Sequence, residues 1–300
     1  MSSAAHSQLS VHHGARVTIG VPGGGEIAAL DTAGQERPDA PTVLMLPGYT
    51  GSKEDFAPLL DPLWDNGFRA VAVDLPGQYE SAGPADDLGY NSAALGAVVA
   101  GLVSSLPGPV VLLGHSFGGL VARAAVLAGA PIDGLVLLSS GPAALPPGPR
   151  TMAMDAGEPV LRRLGVAAAY AQLESLVLAR AAVAAGARPG RWPATELADF
   201  HRRRFLASNP AGLIGMANVL RTEPDRTDEL AAVLRNNGIG VAVVSGEADD
   251  AWGLRPQADM ARRLGVSLVL IPGAAHSAAV EQPDRLLRAL LPLLRSWTDA

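Results

Sequence analysis

The sequence has 300 residues, of which 48% are hydrophobic and only 4% aromatic, so we expect one large domain, or a core domain with an insertion, around an aliphatic core. Its 23 basic and 29 acidic side chains give a formal charge of −6 without a basic cluster, which argues against a nucleic-acid-binding surface. Cysteine is absent, which excludes disulfides, a thiol nucleophile and thiolate metal ligands.

The first 14 residues are polar, and we expect them to form a disordered arm without the basic and apolar regions of a signal peptide. The longest apolar run, around residues 93–103, is shorter than the roughly 20 residues that a membrane-spanning helix needs. We therefore expect a cytoplasmic protein that acts on a small molecule and has neither nucleic acid nor a membrane as a partner. Monomer and homodimer both remain open.

Short apolar runs alternate with helical patterns along the first half of the chain. Residues 16–20 and 26–31 alternate like two antiparallel strands joined by the glycine-rich turn 22–25. Continuous apolar runs, which are typical of parallel strands buried on both faces, follow at 42–46, 70–74, 109–113 and 134–138. Helices are predicted from Ser52 or Lys53 onward, at 91–102 and directly after residue 116.

The alternation stops after residue 141. Residues 142–225 begin with a proline-rich connection and continue with helical patterns at 165–187 and 196–207, without a convincing strand. Strands return at 238–244 and 266–271, with helices at 255–264 and 284–297. The sequence therefore predicts an α/β fold: a mostly parallel, doubly wound sheet of about eight strands, formed by residues 15–141 and 226–300, with residues 142–225 inserted as an all-helical cap.

Ser116 lies between the strand 109–113 and an alanine-rich helix, with a glycine two residues to either side. So sharp a turn imposes strained backbone angles on the serine, and Gly114 and Gly118 leave room that a side chain would fill. The turn presents the hydroxyl and directs the Phe117 amide to the same point. Ser116 is therefore the predicted nucleophile; a purely structural turn is the alternative.

A serine hydroxyl needs a base within hydrogen-bonding distance and a third group that orients the base. Among the six histidines, His276 follows the last predicted strand, and functional loops cluster at the C-terminal ends of strands in open α/β sheets. The loop after the strand 238–244 supplies Glu247, Asp249 and Asp250 as candidate acids. The residues alone leave these three candidates open.

Several other polar residues receive structural interpretations. His115 adjoins the nucleophile, but successive strand residues point to opposite faces, so we expect it to pack or to support the site as a donor. His201 begins a basic run, 201–204, that is typical of a solvated helix face, and Glu223 is predicted to lie at the start of an exposed helix. No group of histidines and carboxylates has the spacing of metal ligands, so no metal or other cofactor is expected.

The segment Gly-His-Ser-Phe-Gly at 114–118 resembles the nucleophile elbow of the α/β-hydrolase family, and the resemblance extends from the first strands to the last helix. The turn that ends at Asp249 is similar to the family's Gly-x-x-Asp turn, which implies that Asp249 is the acid. The chain order serine, aspartate, histidine is also that of the family. Asp250 and Glu247 stay as alternatives to Asp249.

The loop 46–52 is similar to the family's His-Gly-x-x-Gly-Ser loop, which implies that the amides of Tyr49 and Phe117 form an oxyanion hole. Pro47 stands where many relatives have a histidine. Because the donor is a main-chain amide, the hole remains possible, but a side chain that normally braces the loop is absent. The resemblance also implies a structural role for Asp74. We expect the side chains of Tyr49, Phe117 and Trp252 to line the substrate pocket.

The resemblance thus implies a serine hydrolase in which Ser116 attacks an acyl carbon, His276 transfers the proton and Asp249 orients His276. The cap is rich in alanine, leucine and valine, which favours a small to medium hydrophobic ester or lactone as substrate. A thioester or a carbon–carbon bond beside a ketone is an alternative for the same residues. A cofactor-free lyase or acyltransferase and a non-catalytic ligand-binding protein are alternatives of other classes.

Overall fold

The computed structural model describes residues 6–22, 25–33, 37, 39–184 and 195–298. Its strands are β1 Ala15–Val21, β2 Gly25–Asp31, β3 Thr42–Leu46, β4 Arg69–Val73, β5 Val110–His115, β6 Gly134–Leu138, β7 Gly240–Gly246 and β8 Leu268–Ile271. They form one eight-stranded sheet in the order β1-β2-β4-β3-β5-β6-β7-β8. The pairs β1–β2 and β2–β4 are antiparallel and the others are parallel, which confirms the predicted fold class.

The helices of the described residues are α1 Ala57–Asp65, α2 Ser92–Ser105, α3 Phe117–Leu127, α4 Pro149–Leu164, α5 Val166–Ala184, α6 Glu196–Ala207, α7 Pro210–Thr222, α8 Thr227–Asn237, α9 Leu254–Arg263, α10 Ala278–Glu281 and α11 Pro283–Thr298. Short 3₁₀ turns precede α1 and α2 at Lys53–Phe56 and Asp87–Tyr90. Within the described segments, no helix combines the length and the apolar character needed to cross a bilayer.

Alternate residues of each parallel strand pack into two different cores. Leu44 and Leu46 of β3 pack with the helices α2, α3, α8 and α9, whereas Val43 and Met45 pack with α1 and α11 on the other face. This is why the strands read as continuous apolar runs: both faces of the sheet are covered. The arrangement places the C-terminal ends of β3, β5, β7 and β8 along one edge of the sheet.

Four helices, α4 to α7, separate β6 from α8. The helix α4 begins at Pro149, the last residue of the proline-rich connection, because proline is well suited to the first helical position, where no amide donor is needed. Leu161, Ala169, Leu213 and Ile214 form a small core between α4, α5 and α7. Of the predicted helix 165–187, the last three residues lie outside the described residues.

The N-terminal segment, for which a disordered arm was expected, is hydrogen-bonded to the core at Gln8 and His13. The Gln8 amide donates to Asp55 at 3.3 Å, and the His13 main-chain amide donates to Asp61 at 2.8 Å. The polarity of the segment therefore reflects hydrogen bonds to carboxylates of the core, a possibility that composition alone does not distinguish from disorder. Residues 1–5 of the expected arm lie outside the described residues.

Candidate active site

Ser116 sits at the sharp turn from β5 into α3, as predicted, and its backbone angles are φ 54° and ψ −118°. A non-glycine residue with positive φ is strained and persists only where the surrounding structure imposes it. A side chain at Gly114 would overlap the main chain of Gly118, and a side chain at Gly118 would overlap the Leu46 carbonyl. The two glycines therefore allow the tight approach of β3, β5 and α3 that holds Ser116 at the sheet edge.

The structure brings Ser116, His276 and Asp249 together. The Ser116 Oγ lies 3.0 Å from His276 Nε2, and His276 Nδ1 lies 2.7 Å from Asp249 Oδ1. A carboxylate only accepts hydrogen bonds, so Nδ1 carries the proton and Nε2 is left to accept the hydrogen of the serine hydroxyl. This is the arrangement in which an imidazole acts as a base toward the hydroxyl.

Asp249 is buried and well supplied with donors. Its carboxylate accepts hydrogen bonds from the Gln257 side chain at 2.7 Å and the Ala251 amide at 3.1 Å. Burial by itself would raise the pKa of Asp249, but the hydrogen bond and charge of His276, together with these two amides, outweigh burial, so the pKa lies below its ordinary value. Asp249 therefore stays ionised beside His276.

The other two candidate acids point elsewhere. The Asp250 side chain is 66% exposed and forms an ion pair with Arg150. The Glu247 carboxylate accepts a hydrogen bond from the Gly273 amide at 3.2 Å, in an exposed position. Of the three carboxylates, Asp249 is the one that contacts His276.

His115 contacts His276 through a hydrogen bond to its main chain and through its ring. Its Nε2 donates to the His276 carbonyl at 2.8 Å, and the two rings lie 4.9 Å apart between centroids. Burial, together with the charge of His276, lowers the pKa of His115 to about 4. His115 is therefore a neutral ring that fixes the main chain of His276.

Two main-chain amides beside Ser116 have no hydrogen-bond acceptor among the described residues. Phe117 is the first residue of α3, so its amide is one of the donors that a helix N-terminus leaves without an intrahelical partner. The Tyr49 amide lies in the loop after β3, and neither amide donates to another described residue. A side chain built at Gly48 would come within 3.3 Å of Ser116 Cβ, so this loop packs directly against the serine.

Two neighbouring cavities adjoin these residues. The first, of about 230 Å³, contains Ser116 and His276 and is lined by the polar side chains of Gln8, Asp55, Arg150 and Arg204. The second, of about 210 Å³, lies among the helices α4 to α7, and its lining is mainly apolar: Met154, Leu161, Leu173, Phe205, Leu213 and Ile214. Tyr49, Thr50, Arg150 and Met154 line both cavities, so they separate the polar space from the apolar one.

Of the three aromatic side chains expected to line the substrate pocket, Tyr49 lines both of these cavities, whereas Phe117 and Trp252 line neither. The Phe117 ring is fully buried in the core between the sheet and its helices. The Trp252 ring packs on Gly141, and its indole nitrogen donates to the Ala143 carbonyl at 2.8 Å. Both residues are close to the site in sequence, but their side chains point away from the cavities, a direction that sequence position does not supply.

Sequence analysis missed polar residues that reach the cavity from distant segments. Arg204 lies in the run predicted to be a solvated helix face, but it lines the polar cavity and pairs with Asp55 at 2.7 Å. His201, in the same helix, is half-buried, and burial lowers its pKa. The three consecutive arginines gave no signal that one of them turns inward, because its partner lies 149 residues away.

Asp74 has a structural position, as the resemblance implied. Its carboxylate accepts hydrogen bonds at 2.7 Å from both the main-chain amide and the side-chain ammonium of Lys53. Since Lys53 follows the loop that carries Tyr49, Asp74 ties this loop to the one after β4. Among the described residues, no three histidine or acidic side chains are grouped to hold a metal ion.

The fold and the turn at Ser116 agree with the result of a family comparison. A model described as the alpha/beta hydrolase family matches residues 43–289. The chain belongs to the alpha/beta hydrolase family. The match covers the sheet from β3 onward, the helices α4 to α7 and the first part of α11, so the whole edge that carries Ser116, Asp249 and His276 lies within it.

Solved structures of other proteins share this fold over nearly their whole length. One from Nitrososphaera gargenis, described among carboxylesterases, has 19% identity and a TM-score of 0.71, with 94% of this chain and 99% of that chain covered. A thermophilic esterase from Thermogutta terrifontis has 25% identity and a TM-score of 0.70, with 95% and 99% covered. An enol-lactonase from Burkholderia xenovorans LB400 has 20% identity and a TM-score of 0.71, with 93% and 99% covered.

Proposed function

We propose that this member of the alpha/beta hydrolase family is a serine hydrolase that cleaves a small to medium hydrophobic ester or lactone through an acyl-enzyme on Ser116. The observation that carries the proposal is the continuous hydrogen-bonded series from Ser116 through His276 to Asp249, with distances of 3.0 and 2.7 Å, at the strained turn. A serine in this geometry has the base that a hydroxyl needs to become a nucleophile.

The reaction begins when Ser116 Oγ attacks the acyl carbon and His276 Nε2 takes the hydroxyl proton. The carbonyl oxygen becomes negative and accepts hydrogen bonds from the Tyr49 and Phe117 amides; such a donor is worth roughly 3–4 kcal/mol to the transition state. Asp249, ionised and bonded to Nδ1, stabilises the positive charge on His276. His276 then protonates the leaving alkoxide, and a water activated by the same nitrogen hydrolyses the acyl-enzyme.

The two cavities support a substrate with one apolar group. The reacting carbonyl would occupy the polar cavity beside Ser116, and the apolar group would occupy the cavity under the cap. A cavity of about 150 Å³ holds benzene, so the 210 Å³ here has room for about eight carbon atoms. The esterase and enol-lactonase named among the similar structures act on bonds of the same class, which also supports this choice.

A fluorophosphonate probe and a series of p-nitrophenyl esters from acetate to dodecanoate test the proposal. We expect the wild-type protein to be labelled and to hydrolyse the esters, with a decline for acyl chains longer than about eight carbons, and Ser116→Ala to lose both properties. Ser140→Ala is the matched control, because Ser140 is buried and its hydroxyl has no hydrogen-bond partner among the described residues.

An unlabelled wild-type protein would contradict the proposal. Labelling without ester hydrolysis would instead favour a lyase, an acyltransferase or a ligand-binding protein of this fold. Hydrolysis of a thioester or of a carbon–carbon bond beside a ketone in preference to the esters would retain the mechanism and change the substrate class.

A further inference from the structure

Gln78, in the loop after β4, holds the main chain of the loop after β3. Its side-chain amide nitrogen donates to the Gly48 carbonyl at 2.7 Å and to the Tyr49 carbonyl at 3.1 Å. Its side-chain oxygen accepts from the Leu75 amide at 3.1 Å. The residue is 2% exposed, so both amide hydrogens and the oxygen are used inside the protein.

The first of these bonds bears directly on the Tyr49 amide. The Gly48 carbonyl and the Tyr49 N–H belong to one peptide unit, which is planar and trans, so the two groups point in opposite directions. A donor that fixes the carbonyl on one side therefore fixes the direction of the N–H on the other side. The second bond holds the next peptide unit, so the main chain at Tyr49 is fastened on both sides.

From this geometry we infer that Gln78 is the residue that positions the oxyanion hole; the inference rests on the proposed function. Pro47 lacks both a side-chain donor and a main-chain N–H, so it cannot brace the loop itself. Gln78 supplies the brace from a neighbouring strand end. Hydrogen bonding to the Gly48 carbonyl also polarises its peptide unit, which makes the Tyr49 N–H a stronger donor to a negative oxygen.

The position of Gln78 is itself well fixed. Its main-chain amide donates to the Leu75 carbonyl at 2.9 Å, and its carbonyl accepts from the Ser81 amide at 2.8 Å. The loop is anchored at its start by the bonds between Asp74 and Lys53. Gln78 and Asp74 are in the same hydrogen-bonded loop. The Gly48 and Tyr49 carbonyls, which Gln78 binds, are therefore held with little freedom.

A second bond to the Gly48 carbonyl sets the size of the effect. The Gly51 amide also donates to this oxygen, at 3.0 Å, and it remains when Gln78 is replaced. Loss of a complete oxyanion donor costs about 10²–10³-fold in kcat. We therefore expect removal of the Gln78 donors to cost less, about 10–100-fold in kcat.

The test uses Gln78→Met, which is similar in length but has no donor, and Gln78→Glu, which keeps the shape and replaces the donor by an acceptor. We measure kcat and KM for a p-nitrophenyl ester, and the inhibition constant of a trifluoromethyl ketone, whose adduct with a serine places a negative oxygen in the hole. In both variants we expect kcat to fall and ketone binding to weaken by a similar factor, with KM changed less than about twofold.

Ser81→Ala is the matched control. Its hydroxyl donates to the Asp74 carbonyl at 2.8 Å and accepts from the Ala28 amide at 2.9 Å, so the variant loosens the same loop without touching Gly48 or Tyr49. We expect a lower unfolding temperature with kcat and ketone binding retained. If Gln78→Met does not fold, Gln78→Glu decides by the same constants.

Gln78 variants that lose stability but keep kcat and ketone binding would overturn the inference and leave a structural role. The proposed function fails separately, when the wild-type protein itself neither hydrolyses esters nor reacts with the fluorophosphonate.

Discussion

The His115 ring, which lies beside His276 at the site, owes its charge state to its surroundings. His115 is enclosed on all sides and faces His276, with Asp55 and Asp249 as more distant acids, and its pKa is about 4. The ring is neutral where the hydrolase is expected to work. Its contribution to the reaction is therefore the hydrogen bond to the His276 main chain and not a charge.

This burial makes the stability depend on pH. An unfolded histidine takes up a proton near pH 6.5, whereas folded His115 does so only near pH 4, so the unfolded state binds more protons in between and stability falls with the pH. Between pH 7 and 5 we expect His115 to account for a loss of about 2 kcal/mol in the free energy of unfolding. Because burial also lowers the pKa of His12 and His201, urea denaturation at the two pH values measures it only by comparison with a variant that lacks this ring.

His115→Gln keeps a donor for the His276 carbonyl and removes the titrating ring. We expect its free energy of unfolding to change less between the two pH values than that of the wild type. The same pH dependence in both proteins would show that His115 does not titrate in the way its burial implies.

The adjacent carboxylates Asp249 and Asp250 also differ in their surroundings, and we expect their replacement to affect activity very differently. Asp249→Asn removes the charge that holds the proton on His276 Nδ1, and we expect kcat for ester hydrolysis to fall about 10³–10⁴-fold. Asp250→Asn breaks an exposed ion pair with Arg150, and kcat should change less than about threefold. If only Asp250→Asn is inactive, the acid has been assigned to the wrong residue.

At the scale of elements, one arginine of α3, the helix that follows Ser116, joins this helix to both ends of the segment between β6 and α8. Arg123 donates to the carbonyls of Pro142 and Pro224, which lie at the start and the end of the insertion, and pairs with Glu223 at 2.7 Å. Both charged side chains are buried. The sequence pattern placed Glu223 at the start of an exposed helix, which is wrong: Glu223 is buried, and the next helix, α8, starts at Thr227.

Removal of one partner from this pair leaves a buried charge without compensation. We expect Arg123→Met to lower the free energy of unfolding by about 3–5 kcal/mol, and the double variant with Glu223→Gln to recover part of it. Arg226→Met, which breaks the exposed pair with Glu229, should change the stability little and is the control. A small effect of Arg123→Met, equal to that of the control, would show that solvent reaches the pair.

The sequence predicted those elements whose pattern is local. The runs at Thr42–Leu46 and Gly134–Leu138 were predicted to the residue, since burial on both faces makes them almost entirely apolar. The turn at Ser116 was recognisable because its glycines are needed at fixed offsets. Inward-turning arginines were not predictable: Arg123 and Glu223 are 100 residues apart, and only the folded chain makes them neighbours.

At the scale of the whole molecule, the polar cavity and the apolar cavity are lined largely by different segments of the chain. Ser116, His276 and Asp55 belong to the core segments and line the polar cavity. The apolar cavity is lined largely by α4, α5, α6 and α7. If the proposed function is correct, we expect chemistry and substrate size to depend mainly on different parts of the chain and to respond separately to substitution.

Gly157 of α4 tests this separation. It lines the apolar cavity, and a Cβ atom built there meets nothing within 4 Å, so we expect Gly157→Leu to fill cavity space without strain at the main chain. We expect hydrolysis of the octanoate ester to fall at least about tenfold relative to the acetate ester, whose kcat/KM stays nearly unchanged. Ala156→Leu adds the same side chain on the exposed side of the helix as a control. An equal loss for both esters would contradict the division.

The first and last residues of the cap lie side by side. The Ala144 amide donates to the Glu223 carbonyl and the Leu145 amide to the Leu220 carbonyl, each at 2.8 Å, and Arg123 fastens both segments to α3. The chain therefore leaves the core and returns to it at nearly the same place. We expect that the length and composition of the segment between can change without altering the strand order, provided that its contacts with the loops of the core, such as Arg204 with Asp55, are kept. A lineage that keeps Arg123 and these paired segment ends can therefore acquire a new substrate range by exchanging one continuous piece of its gene.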